Sequence, residues 1–177
     1  MKARILATAT LALTLAACGG GDTAADEEVA EPVDTMLPGN FQLTSEVTDL
    51  SSTDGTDPVT SAEVGSSVTA NVCVGEDGLL PAAAFGEEGD DCVIENPYVR
   101  RGKIRQALVC QREGQDGQIR LQVDADFTED GIEGTVSTMT YFSGDGDYSM
   151  KRTLTGTRTG DCTEAEAEED LEAEVAE

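Results

Sequence analysis

Ile119-Arg120-Leu121-Gln122-Val123-Asp124-Ala125-Asp126-Phe127 decides the fold class. Apolar residues hold every odd position and polar or charged residues every even one. A strand with one buried face imposes this period of two, because successive side chains point to opposite sides of the backbone. The same alternation, more loosely kept, runs through residues 41–47 and 104–110. Residues 132–142 and 147–159 are rich in threonine, valine, tyrosine and methionine, as half-buried strands are. Turn chemistry separates these runs at Arg101-Gly102, Gly114-Gln115-Asp116-Gly117, Glu129-Asp130-Gly131 and Gly144-Asp145-Gly146. Turns at such regular intervals predict an all-β domain, an antiparallel meander curling into a half-barrel or small barrel. Leu79-Leu80-Pro81-Ala82-Ala83-Ala84-Phe85 departs from this grammar, and with Pro81 early in it is expected to form one short helix in a loop.

Outward from the strands, the chain divides into four parts. Residues 1–17 open with Lys2 and Arg4, continue with an apolar run from Ile5 to Leu15, and end on Ala16-Ala17. That run is about half the ~20 residues needed to span a bilayer as a helix, so it reads as an export signal and not as a membrane span. Residues 18–35 are small and acidic without periodicity, and are expected to be a flexible tether. Residues 36–162 carry the β domain. Residues 163–177 are expected to be a disordered acidic tail, since unrelieved negative charge at helical spacing opposes the helix that alanine and glutamate would otherwise favour.

Charge excludes some partners. The chain has 11 Lys+Arg against 36 Asp+Glu, a formal net charge of −25 at pH 7. Nucleic acid is not an expected partner, because phosphate binding needs a basic footprint. An anionic lipid surface would repel the domain, so attachment to a membrane must come from elsewhere. Leu15-Ala16-Ala17-Cys18 resembles the lipobox of bacterial lipoproteins. That resemblance implies cleavage before Cys18 and acylation of Cys18, whose chains would supply the anchor. Gly19 after the cysteine resembles lipoproteins sent to the outer membrane rather than retained at the inner one.

Four cysteines remain, Cys73, Cys92, Cys110 and Cys162. In an exported chain an even number favours two disulfides. Zinc is disfavoured, since no histidine is present and no two cysteines have knuckle spacing. In a meander, Cys92 opens one strand and Cys110 closes its hairpin partner, which puts them opposite each other. Cys162 then falls at the other end of the sheet from Cys110. A ten-residue strand spans roughly 33 Å, whereas bridged Cα atoms lie within about 7 Å. Cys92–Cys110 with Cys73–Cys162 is therefore the preferred arrangement, and Cys73–Cys92 with Cys110–Cys162 the second.

The body of the chain resembles a proteobacterial family of exported proteins, domain of unknown function 3617. The resemblance covers residues 37–162. It is carried by Pro38-Gly39-Asn40-Phe41, Asp91-Cys92, Gly102-Lys103-Ile104 leading to Cys110, and Thr157-Arg158-Thr159-Gly160-Asp161-Cys162. It implies an exported β domain with two bridges, and it implies no activity.

Residues that could carry chemistry are few. Without histidine there is no Ser-His or Cys-His nucleophile, and no Cys-x-x-Cys pair or phosphate loop occurs. The protein is therefore read as a non-enzymatic binding or structural module of the cell envelope, with no catalytic residue, metal or cofactor. Two alternatives stand beside that reading. The first is a carrier whose curled sheet encloses a small lipophilic ligand against Leu121, Val123, Phe127, Met139 and Met150. Met139, Tyr141, Tyr148 and Met150 are expected to face one another across the last hairpin. The second is calcium binding at Asp49, Asp54 and Asp57 or at Asp145 and Asp147, whose carboxylates sit on loops although neither matches an EF-hand. Arg100, Arg101, Lys103 and Arg105 form a basic cluster that could meet an acidic partner or the acidic tail, but reads first as a solvated hairpin end. Another envelope protein is the expected macromolecular partner, and the membrane is reached through the lipid on Cys18.

Overall fold

The computed structural model describes residues 35–162. The export signal, Cys18, the tether and the acidic tail lie outside the described residues. Seven strands form one sheet: β1 (Gly39–Ser52), β2 (Ser67–Val74), β3 (Asp90–Arg100), β4 (Lys103–Arg112), β5 (Gly117–Phe127), β6 (Gly131–Phe142) and β7 (Tyr148–Gly160). Their spatial order is β2-β1-β7-β6-β5-β4-β3, and every pairing is antiparallel.

β3 to β7 are the expected meander. The β3–β4 turn shows why it forms there: Arg101 and Gly102 both have positive φ, 54° and 71°, the two-residue geometry whose twist suits a hairpin. The sequence did not reveal where the first strand goes. β1 pairs with β7 along almost its whole length, from Asn40 opposite Gly160 to Ser52 opposite Tyr148, and carries β2 on its far side. Register shifts at Asn40/Phe41 and Val47/Asp49 are bulges that bend this strand and curl the sheet. β5 and β6 approach so closely that a Cβ on Gly134 would overlap Ala125. The result is a half-barrel with β2 and β3 as its two edges.

Each strand runs between two rims. β1 begins and β7 ends at the first rim, where Cys73 of β2 is bridged to Cys162 across 5.4 Å between Cα atoms. Towards the second rim, Cys92 and Cys110 face each other in register and form the other bridge, Cα atoms 4.0 Å apart. These are the pairs that the hairpin geometry prefers.

β2 ends at the first rim and β3 starts at the second, so residues 75–89 must cross the length of the half-barrel. They do so through its interior. Leu80 and Phe85 are buried at 0% and 1% exposure within the main core, alongside Phe41, Ile104, Leu108, Ile119 and Val123. The backbone of this segment is satisfied from the sheet. Gln106 accepts from the Leu80 N–H at 3.1 Å and its amide donates to the Leu80 carbonyl at 2.8 Å, while Arg152 donates to the Phe85 carbonyl at 2.7 Å. The expected helix is a single 3-10 turn, Ala82–Ala84.

Candidate functional site

The interior of the half-barrel is where a lipophilic cargo would sit. Leu121, Val123, Phe127 and Met150 all point inward and are buried. Met139 does not join them. The β6–β7 ladder pairs Met139 with Ser149 and Thr138 with Met150, so odd-numbered residues of this hairpin face out and even-numbered ones face in. Met139 and Tyr141 are consequently exposed, while Tyr148 and Met150 are buried. The five residues between the strands, 143–147, set this register, and the expectation that all four side chains share one face is corrected. Leu80 and Phe85 occupy the space that the inward residues enclose. Among the described residues, three buried polar atoms on the inner face have no hydrogen-bond partner: Ser45 Oγ, Thr138 Oγ1 and Arg152 Nε. Arg152 sits opposite Val47 and Val136, with Ser45 and Thr138 as its diagonal neighbours on opposite sides, level with Leu154 and Met150.

At the second rim a charged cluster assembles that no sequence motif announces. Arg112, at the end of β4, donates to both carboxylate oxygens of Asp90 at 2.7 and 3.0 Å, to the Val59 carbonyl at 2.6 Å and to the Tyr148 hydroxyl at 3.3 Å. It also pairs with Glu87 at 2.9 Å. Glu87 accepts from the Thr60 hydroxyl at 2.6 Å and from the Tyr148 hydroxyl at 3.3 Å, and its own N–H donates to Asp90 at 2.9 Å. The Asp90 side chain is 2% exposed and its two oxygens face the Arg112 guanidinium, which compensates the buried charge pair on both sides. Asp90, as the hydrogen-bonding carboxylate, is the main cause that holds the Arg112 guanidinium charged. Burial, reinforced by Glu87, pushes the Tyr148 phenol up, so it stays a donor. Burial also pulls Arg152 down, against the attraction of Glu87, Tyr148 and Asp90. Both carboxylates are fully engaged, which suits a clamp between the 53–66 loop, the interior segment and the sheet. A shallow cleft of about 460 Å³, bordered by residues 58–61, Glu87, Glu88 and Arg112, opens over this clamp.

The two loops considered for calcium meet one another. Asp54 accepts from the N–H groups of Thr56, Gly146 and Asp147 and from the hydroxyls of Ser52 and Thr56 at 2.7–3.0 Å. Those donors, Thr56 foremost, hold its carboxyl well below the usual range. Asp147 accepts from the Phe142 N–H at 2.8 Å. Oxygens so occupied by N–H groups are turned away from a cation. Among the described residues no group of three or more Asp, Glu, His or Cys is placed to hold a metal.

On the outer face, a groove of about 370 Å³ runs across β4 to β7. Ala107, Val109 and Met139 form its apolar surface, with Arg120 and Lys151 beside them and Glu95 at the β3 wall. The basic cluster near the first rim is partly neutralised on the same face: Lys103 pairs with Asp126, and Arg105 with Asp124 at 3.4 Å. Arg120 and Lys151 have no carboxylate partner among the described residues, and sequence reasoning passed over both.

A family model described as a protein of unknown function (DUF3617) matches residues 36–162. No curated protein and no solved structure matches the chain.

Proposed function

We propose, on the premise that this chain belongs to the family of proteins of unknown function DUF3617, that it is a lipid-anchored module of the bacterial cell envelope that binds a partner or supports structure without catalysing a reaction. The observation that carries this reading is the interior segment. Residues 75–89 fill the half-barrel with Leu80 and Phe85 and tie themselves to Gln106 and Arg152. A domain packed in this way and bridged near both rims is a rigid scaffold whose recognition surface is its outside. The absence of histidine from the sequence and the full engagement of Glu87, Asp90 and Asp54 support the non-catalytic side of the reading. The filled interior also weighs against the carrier alternative.

The envelope assignment rests on the signal and on Cys18. Its test is metabolic labelling with an alkynyl fatty acid in a bacterial host, followed by separation of inner and outer membranes. The native chain is expected to take the label and sediment with the outer membrane, and Cys18→Ala to do neither. Equal labelling of the two would remove the anchor from the proposal.

A further inference from the structure

The outer-face groove sets an apolar strip beside two cations. Ala107, Val109 and Met139, the last 41% exposed, form the strip, and Gln122, Ser137 and Ser149 line the groove with Arg120 and Lys151. Met139 is the centre of the arrangement. Arg120 lies directly opposite it on β5, and Lys151 lies opposite Ser137, its outward neighbour along β6. The two cations thus stand diagonally on either side of one exposed thioether. Among the described residues the nearest polar partner of the Arg120 guanidinium is Gln118 Oε1 at 3.5 Å, and Lys151 has no ion pair. Lys103 and Arg105 on the same face are paired with Asp126 and Asp124, whereas Arg120 and Lys151, like Arg100 and Arg101 at the hairpin end, have no carboxylate partner among the described residues. Glu95, on the opposite wall, forms no ion pair with either.

We propose that this groove binds the free anionic form of a medium-chain fatty acid. The carboxylate would sit between Arg120 and Lys151, where charge-assisted hydrogen bonds are strongest. The alkyl chain would lie over Val109, Ala107 and Met139, a flexible thioether suited to an irregular apolar partner. The volume lies at the small end of the range for ligand sites, which favours a single chain over a two-chain lipid. The inference rests on the reading of the domain as a binding module and names its ligand class. Its failure would leave the acylation result at Cys18 untouched, so the two can fail separately.

The test is methyl and amide NMR of the full-length chain carrying Cys18→Ser, so that no covalent acyl chain competes, titrated with sodium decanoate below its micellar concentration. Saturable shifts at Ala107, Val109, Met139 and Lys151 are expected. 1-Decanol, which lacks the charge, and inorganic phosphate, which lacks the chain, should each bind weaker by roughly tenfold or more. The exposed variants Arg120→Glu and Lys151→Glu should lose binding by a similar factor with the remaining spectrum unchanged, and Met139→Glu serves as a second variant on the apolar side. Four results would overturn the proposal: no saturable shift, equal affinity for decanol, shifts centred on the interior methyls of Val123 and Leu121, or binding unaffected by charge reversal. Shifts of the groove methyls on deletion of residues 163–177, without any decanoate, would make the acidic tail the occupant and overturn it too.

Discussion

The inner and outer faces of this sheet are made by the same strands, residue by residue in alternation, yet they are held to different standards. Inward, every position from Ile119 to Phe127 meets another side chain, and Phe85 arrives from a distant part of the chain to fill the last of the space. Outward, Arg120, Gln122, Asp124 and Asp126 meet water or polar neighbours such as Gln118, Arg105 and Lys103, and Met139 stands exposed among them. The inner face specifies the fold, because a void there has no partner atoms and the sheet cannot collapse around it. The outer face is free to change without endangering the fold, which is where recognition can be placed.

That contrast can be broken by substitution. Phe85→Ala is the most damaging change expected: it empties the interior under Arg152 and should cost about 3–5 kcal/mol in urea denaturation. A loss near zero would mean that the interior segment does not hold the half-barrel together. Arg112→Met comes next. It leaves Asp90 buried and unpaired, at a cost of roughly 3 kcal/mol, and adding Asp90→Leu should return part of the loss. A double variant no better than the single one would show that the clamp does not act as a pair.

Smaller effects sharpen the comparison. Thr138→Val removes a buried hydroxyl that has no partner among the described residues, and stability should rise by about 0.5–1 kcal/mol. A fall in its place would show that the hydroxyl is satisfied by bound water. On the outer face Met139→Ser should shift stability by no more than about 0.5 kcal/mol. The gentlest effect is a slope. Asp54 is held deprotonated in the folded chain by its N–H donors, so below about pH 4 the unfolded chain takes up a proton that the folded one refuses. Its contribution is therefore present at neutral pH and is lost as the pH falls. Melting temperature measured from pH 5 to pH 3 should fall less steeply for Asp54→Asn than for the native chain, and parallel curves would refute the role.

Much of the fold was legible because it is local. The nine residues 119–127 announce their strand unaided, Arg101-Gly102 announces its hairpin, and once the meander is granted, the reach of a disulfide selects the two bridges. What the sequence hid is long-range. Nothing near Gly39 says that β1 will lie beside β7, more than a hundred residues later. Leu79 to Phe85 shows apolar residues in a loop, but only the sheet's curvature turns them into interior filling. Met139 and Met150 were misplaced relative to each other because face depends on the parity of the turn between them, and composition carries no parity. The clamp is harder still to see, since Arg112 draws partners from three separate segments. Arg120 and Lys151 could have been noticed as cations at outward positions of well-patterned strands, but only the ladder shows that they flank the same methionine.

The pairing of β1 with β7 makes the chain almost a ring. Asn40 lies opposite Gly160, and the Cys73–Cys162 bridge closes the same rim, so the two ends of the domain leave the sheet side by side. Order along the polypeptide is then nearly a convention: a short linker could join residues 36 and 162, and new ends could be opened in the exposed turn at Gly114 without removing a single ladder. The domain can in consequence be carried at the end of a tether, inserted within another protein, or rewired in sequence, and still present the same outer face.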